Sequence, residues 1–400
     1  MEDHNNKVLF VDDESDLLVS YELILRKNFN VHTAESGEEG IKKIEDDGPF
    51  ATVVADYNMP GMNGIEFLSE VKKLSPYSVR IILTSSDDVR TAADAVNETN
   101  IFRFLTKPIT HEKLRLAIDA SVEQYRLIMA EQELNRKLKE AYEQIKEDLR
   151  AAARVQQHLL PKKNLDLSGI SFDAIFIPSE FLSGDNYSYF KLDSNHIGFY
   201  LLDVSGHGIP AAMNSFALSN YLTTNTQKDT PLMVYDNELS DYKIIPPDKV
   251  LEKLNERFMT SGRNINYFTM VYGVINLTKR TLSIVHAAHP PSFLIKSSGE
   301  VKTLGARNFP LGVFPDAEFR TEYYDVEPGD RLLIYSDGVT ECKNQEGELF
   351  SENRLEEFLV NNKSNPSQDI IKDLENTLRN WHVEESFQDD LTFFIVEFSG

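Results

Sequence analysis

From His111 to Leu160 the chain contains neither glycine nor proline, and the stretch is rich in Glu, Lys, Leu and Ala. Without a helix breaker it is expected to form one continuous helix of about 50 residues, roughly 75 Å long at 1.5 Å per residue. A heptad runs through Leu127, Leu134, Leu138, Ala141, Ile145, Ala152, Val155 and Leu159, with Gln124, Glu131 and Asp148 on the same seam. Polar seam positions and alanines make a weak coiled coil, which a domain at its end can bias. A homodimer through this helix is the expectation, a solvated spacer the alternative. The 400 residues imply two or three domains with their own cores. The expected division is 1–122, a helical linker over 123–160, and 161–400.

Before the helix, short apolar runs alternate with amphipathic stretches. The runs are VLFV (Val8 to Val11), VHTA (Val31 to Ala34), ATVVA (Ala51 to Ala55), RIILT (Arg80 to Thr84) and FRFL (Phe102 to Leu105). Leu17 to Arg26 and Gly64 to Leu74 carry apolar residues at three- and four-residue spacing. Five strands alternating with five helices predict a doubly wound parallel sheet, whose ligand site lies at the carboxyl ends of the strands. Those ends carry Asp12–Asp13, Asp56, Thr84–Ser85 and Lys107–Pro108. Three carboxylates suit Mg²⁺, and Lys107 with the metal would neutralise a phosphoryl group placed on Asp56.

Residues 5–122 resemble the receiver domain of bacterial response regulators through VDDE, DYNMPGMNG, LTSS and FLTKP. The resemblance implies that Asp56 accepts phosphate from a sensor histidine kinase or phosphotransfer protein, with Asp12 and Asp13 helping Asp56 hold Mg²⁺. It also implies that Thr84 shifts onto the phosphoryl group, that Phe104 follows as the switch aromatic, and that Lys107–Pro108 is a cis peptide.

Composition narrows the class. The formal charge of −23 argues against nucleic acid, because phosphate binding needs a Lys/Arg-rich face. No apolar run approaches the roughly 20 residues that span a bilayer, and MEDHNNK lacks a signal-peptide pattern. The single cysteine, Cys342, excludes an internal disulfide and fits a reducing compartment. A cytoplasmic protein without membrane contact is expected.

After the helix the pattern changes to paired strand-like runs: ISFDAIFI, HIGFYLLDV, FTMVYGVIN, TLSIVHAA, PSFLIK, DRLLIYSDG and LTFFIVEF. Short polar turns such as NLTKRT suggest antiparallel hairpins. Helices are expected over Pro210–Tyr221 and Pro247–Thr260, and residues 223–247 read as a polar insertion or mobile loop. The expected architecture is α+β: two packed antiparallel sheets flanked by helices. Acidic stretches punctuate it at SGD (Asp185), DVSGHG (Asp203), YSDG (Asp337) and DDLT (Asp389, Asp390). Carboxylates and carbonyls with few His or Cys favour Mg²⁺ or Mn²⁺ over Zn²⁺. Two such ions about 3.5–4 Å apart can clamp a phosphoryl group and activate water.

Residues 150–398 resemble the metal-dependent, PPM-type (protein phosphatase type 2C-like) Ser/Thr phosphatases, in the bacterial branch that controls sigma factors and sporulation. The matching stretches are AAARVQQHLLPKK at the helix end, AAHPP, PLGVF, PGDRLLIYSDGVTE and DDLT. The resemblance implies two Mn²⁺ or Mg²⁺ ions held by Asp185, Asp203, the Val204 carbonyl, Asp337 and Asp389, with Asp390 second choice to Asp389. Three departures stand out. Ser188 replaces a second acid. Ser205 occupies the position of the general-acid histidine of eukaryotic relatives, which leaves His207 as a substitute. AAHPP replaces the commoner AGHPP, read as a packing change around His289. The implied function is phosphoserine or phosphothreonine hydrolysis on a partner protein, an anti-sigma-factor antagonist, under control of Asp56. Phosphorylation would change the pairing or register of the long helix, which enters the catalytic domain near the helices at 210 and 247. The alternative is a non-catalytic adaptor for a sigma factor or its antagonist.

Overall fold

The structure, a computed structural model, describes residues 5–85, 100–162, 165–167, 169–223, 231–237, 241–260, 267–305, 308–382, 384 and 386–399. It divides into two compact units, Met1–Gln144 and Ile145–Gly400.

The first unit runs β1 (Lys7–Val11), α1 (Ser15–Leu25), β2 (Asn30–Ala34), α2 (Gly37–Asp47), β3 (Thr52–Asp56), α3 (Gly64–Leu74), β4 (Val79–Thr84) and β5 (Arg103–Thr106). The strands form a parallel sheet in the order β2-β1-β3-β4-β5. Each sheet face is covered. Phe10, Val54 and Ile81 pack towards α1, and Val11, Val53 and Ile82 towards α2 and α3. Burial on both faces is why these strands read as unbroken apolar runs. Helix α3 starts on a capping box, Asn63 and Glu66 satisfying each other's backbone N–H. The fourth expected helix falls on residues 86–99, outside the described residues. Lys107–Pro108 is cis, as the receiver resemblance implied.

Helix α4 (His111–Leu159) is continuous over 49 residues. Its first turns belong to the receiver core: Leu114, Ile118, Val122 and Tyr125 are buried against α1 and the sheet. Beyond them Leu127, Leu134, Leu138, Ile145, Val155 and Leu159 are all exposed. Among the described residues no helix is long and apolar enough to cross a membrane.

The second unit continues with β6 (Leu165–Asp166), β7 (Ile170–Ile177), β8 (Asn186–Lys191), β9 (His196–Val204), α5 (Gly208–Thr223), β10 (Met233–Asp236), β11 (Asp241–Ile244), α6 (Pro247–Thr260), β12 (Phe268–Asn276), β13 (Thr281–Ala287), β14 (Ser292–Ile295), β15 (Val301–Leu304), β16 (Glu322–Asp325), β17 (Arg331–Tyr335), α7 (Asp337–Thr340), α8 (Ser351–Asn362), α9 (Ser367–His382) and β18 (Leu391–Phe398). Two antiparallel sheets, β16-β13-β12-β9-β8 and β15-β14-β17-β18-β7-β6, pack face to face. Phe199, Leu201 and Val271 of the first meet Leu332, Ile334 and Phe394 of the second. The alternate residues, Tyr200, Leu202, Met270 and Tyr272, face α5 and α6. Leu333, Phe393 and Ile395 face α8 and α9.

This is the expected sandwich, with two differences. The segment read as an insertion or mobile loop contains a hairpin, β10 with β11, anchored by Leu232 and Ile245 in the core under α5 and α6; residues 224–230 and 238–240 lie outside the described residues. Helices α8 and α9 were not anticipated. Ile370, Ile371, Leu374 and Leu378 carry the helical spacing that buries α9.

Candidate metal centre and its supports

In the receiver unit the expected residues meet at the strand ends. Lys107 Nζ lies 2.8 Å from Asp12 Oδ2 and 2.5 Å from Asp56 Oδ1. Asp12 also accepts from the Glu14 N–H at 3.1 Å, and Asp56 from the Asn58 N–H at 2.9 Å. Burial raises the Asp12 pKa, opposed by its hydrogen bond to Lys107. Burial would lower the Lys107 pKa, yet the hydrogen bonds to Asp12 and Asp56 outweigh it and the ammonium is held charged. Asp13 sits exposed beside Asp12. Thr84 is buried at the end of β4, its hydroxyl donating to the Ser85 carbonyl at 3.3 Å. Phe104 is half-buried against the α2–α3 core.

In the second unit strand register builds the carboxylate cluster. Asn186 pairs with Leu202, which sets Asp185 opposite Asp203 at the open end of the β8–β9 hairpin. Asp203 follows the inward residues Phe199 and Leu201, and Asp185 precedes the inward residues Tyr187 and Tyr189. Both carboxylates therefore face the space between the sheets. The second sheet delivers its own pair: Tyr335 pairs with Phe393, so Asp337, just after β17, and Asp389, just before β18, emerge side by side. Gly338 makes that approach possible, because a Cβ there would lie 2.1 Å from the Asp390 carbonyl oxygen.

The four groups act on one another. Asp185 is about 1% exposed, neither of its oxygens has a hydrogen-bond partner, and it faces the Ser336 and Thr392 hydroxyls. Burial first, then Asp203 and Asp390, raise its pKa well above the usual carboxylate range. Burial, then Asp337 and Asp389, push Asp203 up to about 8. Burial and Asp389 push Asp337 up to about 6, and burial also raises Asp389. Glu341, absent from the sequence reading, bears on Asp203, Asp337 and Asp389 alike. It lies one turn after Asp337, its N–H bonded to the Asp337 carbonyl at 2.8 Å. The i, i+4 spacing in SDGVTE was the available signal.

A buried carboxylate faced by two neutral hydroxyls, with no cationic side chain among its influences and other carboxylates around it, is electrostatically suited to a cation. Among the described residues no three ligating side chains close around a single point. Mg²⁺-like ions do not require such closure, since they keep several waters and take one or two carboxylates each.

Asp390 serves a different purpose from Asp389. Its Oδ1 accepts from the Ser179 N–H and hydroxyl at 2.8 and 2.9 Å, and its Oδ2 from the Gly184 N–H at 2.7 Å. It therefore anchors the loop that leads into Asp185. The same loop is gripped from α4. Gln156 Nε2 donates to the Ser183 carbonyl at 2.8 Å, and the Ser183 N–H donates back to Gln156 Oε1 at 3.1 Å. Gly184 rests on the Asp203 turn, where a Cβ would lie 2.9 Å from the Val204 carbonyl oxygen.

A cleft of about 410 Å³ opens over this end, lined by Ser179, Glu180, Gly206, His207, Phe387, Gln388 and Asp389. His207 is exposed and its Nδ1 lies 3.1 Å from Glu180 Oε1. Ser205 is held by its N–H to the Tyr267 carbonyl at 3.1 Å. Ser188 lies on the helix-facing side of β8 beside Tyr200, so the missing acid there removes nothing from the cluster. The alanine of AAHPP is not a packing change. Ala288 has φ +50°, a left-handed conformation that glycine adopts without strain and alanine does not.

Fold and site together define a protein class: a response-regulator receiver joined by a long helix to a PPM-type phosphatase fold. The chain belongs to the Stage II sporulation protein E (SpoIIE) family, which matches residues 193–399. The response regulator receiver domain matches residues 8–119. The chain is 28% identical over 265 residues to protein IcfG of Synechocystis sp., covering 62% of this chain and 41% of that protein. It is 28% identical over 273 residues to the phosphoserine phosphatase RsbU of Bacillus subtilis, covering 67% of this chain and 75% of that one. The chain thus spans about two-fifths of IcfG and three-quarters of RsbU. The SiaA-PP2C domain of Pseudomonas aeruginosa shares the fold, with a TM-score of 0.54 at 20% identity over 65% of this chain and 99% of that domain.

Proposed function

We propose that the protein is a response regulator whose second unit hydrolyses phosphoserine or phosphothreonine on a partner protein, under control of phosphorylation at Asp56. The observation that carries this reading is the meeting of the Asp185–Asp203 pair from one sheet with the Asp337–Asp389 pair from the other, with both Asp185 oxygens buried and outside hydrogen-bond geometry. Asp185, Asp203, the Val204 carbonyl, Asp337 and Asp389 would hold two Mn²⁺ or Mg²⁺ ions. Bound there, the ions supply positive charge to the phosphoryl oxygens and acidify water. The chain's own residues do the rest. The cleft beside the cluster, where Glu180, His207 and Asp389 line the wall, would receive the phosphorylated side chain once the ions have neutralised the carboxylates. His207, whose Nδ1 lies 3.1 Å from Glu180 Oε1 at the cleft wall, would give a proton to the departing serine oxygen as water adds to phosphorus and the ester P–O bond breaks. The adaptor alternative called for lost ligand carboxylates, and all of them are retained.

For control, Asp12, Asp13 and Asp56 would hold the receiver Mg²⁺, with Lys107 countering the phosphoryl charge and Thr84 and Phe104 responding to it. The exposed seam of α4 would pair with a second copy, and a weak seam can be rebiased by the few kcal/mol typical of such couplings. The Gln156–Ser183 clamp gives the helix a direct hold on the Asp185 loop. The partner would be an anti-sigma-factor antagonist, in keeping with the sigma-factor-regulating branch that the sequence resembles. Phosphate release from candidate phosphoserine proteins, with Mn²⁺ and with or without a small-molecule phosphodonor, tests the reading. No turnover with either metal in either state would overturn it.

A further inference from the structure

His289 and Thr269 have no part in the chemistry above, yet they connect the two halves of the carboxylate cluster. Thr269 on β12 is the cross-strand partner of Asp203 on β9. Directly opposite residues on one sheet face have Cβ atoms about 4.5–5.5 Å apart, so the Thr269 side chain flanks the Asp203 carboxylate. Thr269 Oγ1 is 2.8 Å from His289 Nδ1. The His289 ring also lies against the main-chain carbonyl of Tyr335, two residues before Asp337. One imidazole thus touches the first sheet beside Asp203 and the second sheet beside Asp337.

The ring is placed as a strut rather than as a proton carrier. It is about 7% exposed; Nδ1 is held by Thr269, and Nε2 closes no hydrogen bond although the Tyr335 main chain lies beside the ring. Burial, followed by the neighbouring His286, lowers its pKa to about 3, so it stays neutral across the physiological range. The hydrogen bond from Thr269 fixes one edge of the rigid ring, and the packing of the ring beside the Tyr335 carbonyl sets how closely the facing sheet approaches.

We infer that His289 is a positioning residue: by fixing Thr269 against the Tyr335 segment it sets the spacing between the Asp185–Asp203 pair and the Asp337–Asp389 pair. The inference rests on the metal-dependent reading of that cluster. It assigns the histidine of AAHPP to ion affinity rather than to bond cleavage. It also accounts for the strained Ala288, which turns the chain so that the next residue enters the sandwich.

The test is calorimetric titration of Mn²⁺ into the full-length protein, with thermal melts alongside. Thr269→Val keeps size and shape while removing the hydroxyl, and His289→Ala removes the ring. Each is expected to weaken Mn²⁺ binding about tenfold, with Thr269→Val melting within a few degrees of wild type. The double variant should be no weaker than the worse single, and His289→Asn, which keeps an acceptor near the Nδ1 position, should recover part of the loss. Wild-type Mn²⁺ affinity in folded Thr269→Val overturns the inference, even if His289→Ala fails to fold. Asp203→Asn is the control. If Asp203→Asn loses Mn²⁺ while Thr269→Val keeps it, only the role of His289 fails. If Asp203→Asn binds Mn²⁺ as wild type does, the metal-centre reading itself fails.

Discussion

Replacing Gln156 by alanine should damage the metal centre without touching a carboxylate. The side chain makes two hydrogen bonds, 2.8 and 3.1 Å, to the backbone of Ser183, a fully buried residue. Truncation leaves one buried N–H and one buried C=O unpaired, each costing about 1–3 kcal/mol. Half-exposure of Gln156 lets water recover part of this, so a net local penalty of about 2–3 kcal/mol is reasonable. The loop can shed that penalty by moving, and Asp185 is two residues along it. At about 1.4 kcal/mol per tenfold, Mn²⁺ affinity should fall roughly 30–140-fold, with phosphatase activity restored at high Mn²⁺. Calorimetry and the Mn²⁺ dependence of phosphate release measure it, with Gln157→Ala, an exposed neighbour, as the control expected to be silent. Mn²⁺ affinity within twofold of wild type in folded Gln156→Ala would refute the coupling of α4 to the Asp185 loop.

Four further outcomes are expected. The carboxylates with raised pKa values stabilise the metal-free protein when protonated. That stability is complete near pH 3.8 and is lost as pH rises through about 6 for Asp337 and about 8 for Asp203. Metal-free melting temperature should therefore fall between pH 4 and 8 (roughly) while added Mn²⁺ stabilises more at the upper end; a flat metal-free profile would contradict the clustering. Glu131→Leu with Asp148→Leu should tighten the α4 seam and make phosphatase activity independent of the phosphodonor, and activity that still follows phosphorylation would exclude the seam as the relay. His207→Ala should lower kcat by about 10²–10⁴ while leaving Mn²⁺ affinity unchanged; an unchanged kcat removes it as proton donor. Ala288→Gly should raise stability by about 1 kcal/mol by relieving a left-handed alanine, and a destabilised variant would mean the turn is not strained.

Local pattern carried much of the architecture, because strands buried on both faces leave unbroken apolar runs, and a carboxylate that ends such a run marks the sheet edge. That is how Asp56, Asp203, Asp337 and Asp389 were legible. Residues whose role depends on long-range pairing were not. Asp390 and Asp389 are adjacent in sequence, yet only the fold reveals that Asp390 reaches Ser179 and Gly184. Gln156 was visible as part of a resemblance, but its partner at Ser183 belongs to another element. Glu341 follows a single helical turn, α7, and its i, i+4 spacing from Asp337 was the one local signal of its place beside the cluster. Helices α8 and α9 do carry helical spacing, at Leu355 and Leu359 and at Ile370, Ile371, Leu374 and Leu378, so local pattern was sufficient for them. Ala288 looked like a side-chain substitution because φ cannot be read from composition.

The most direct measurement is Mn²⁺-dependent release of phosphate from a phosphoserine protein by the wild-type chain and by Asp203→Asn. Converging acids from two sheets predict sustained turnover in the first and a loss of at least about a hundredfold in the second, as expected when charge stabilisation of the phosphoryl group is removed. Equal rates in both would contradict the account.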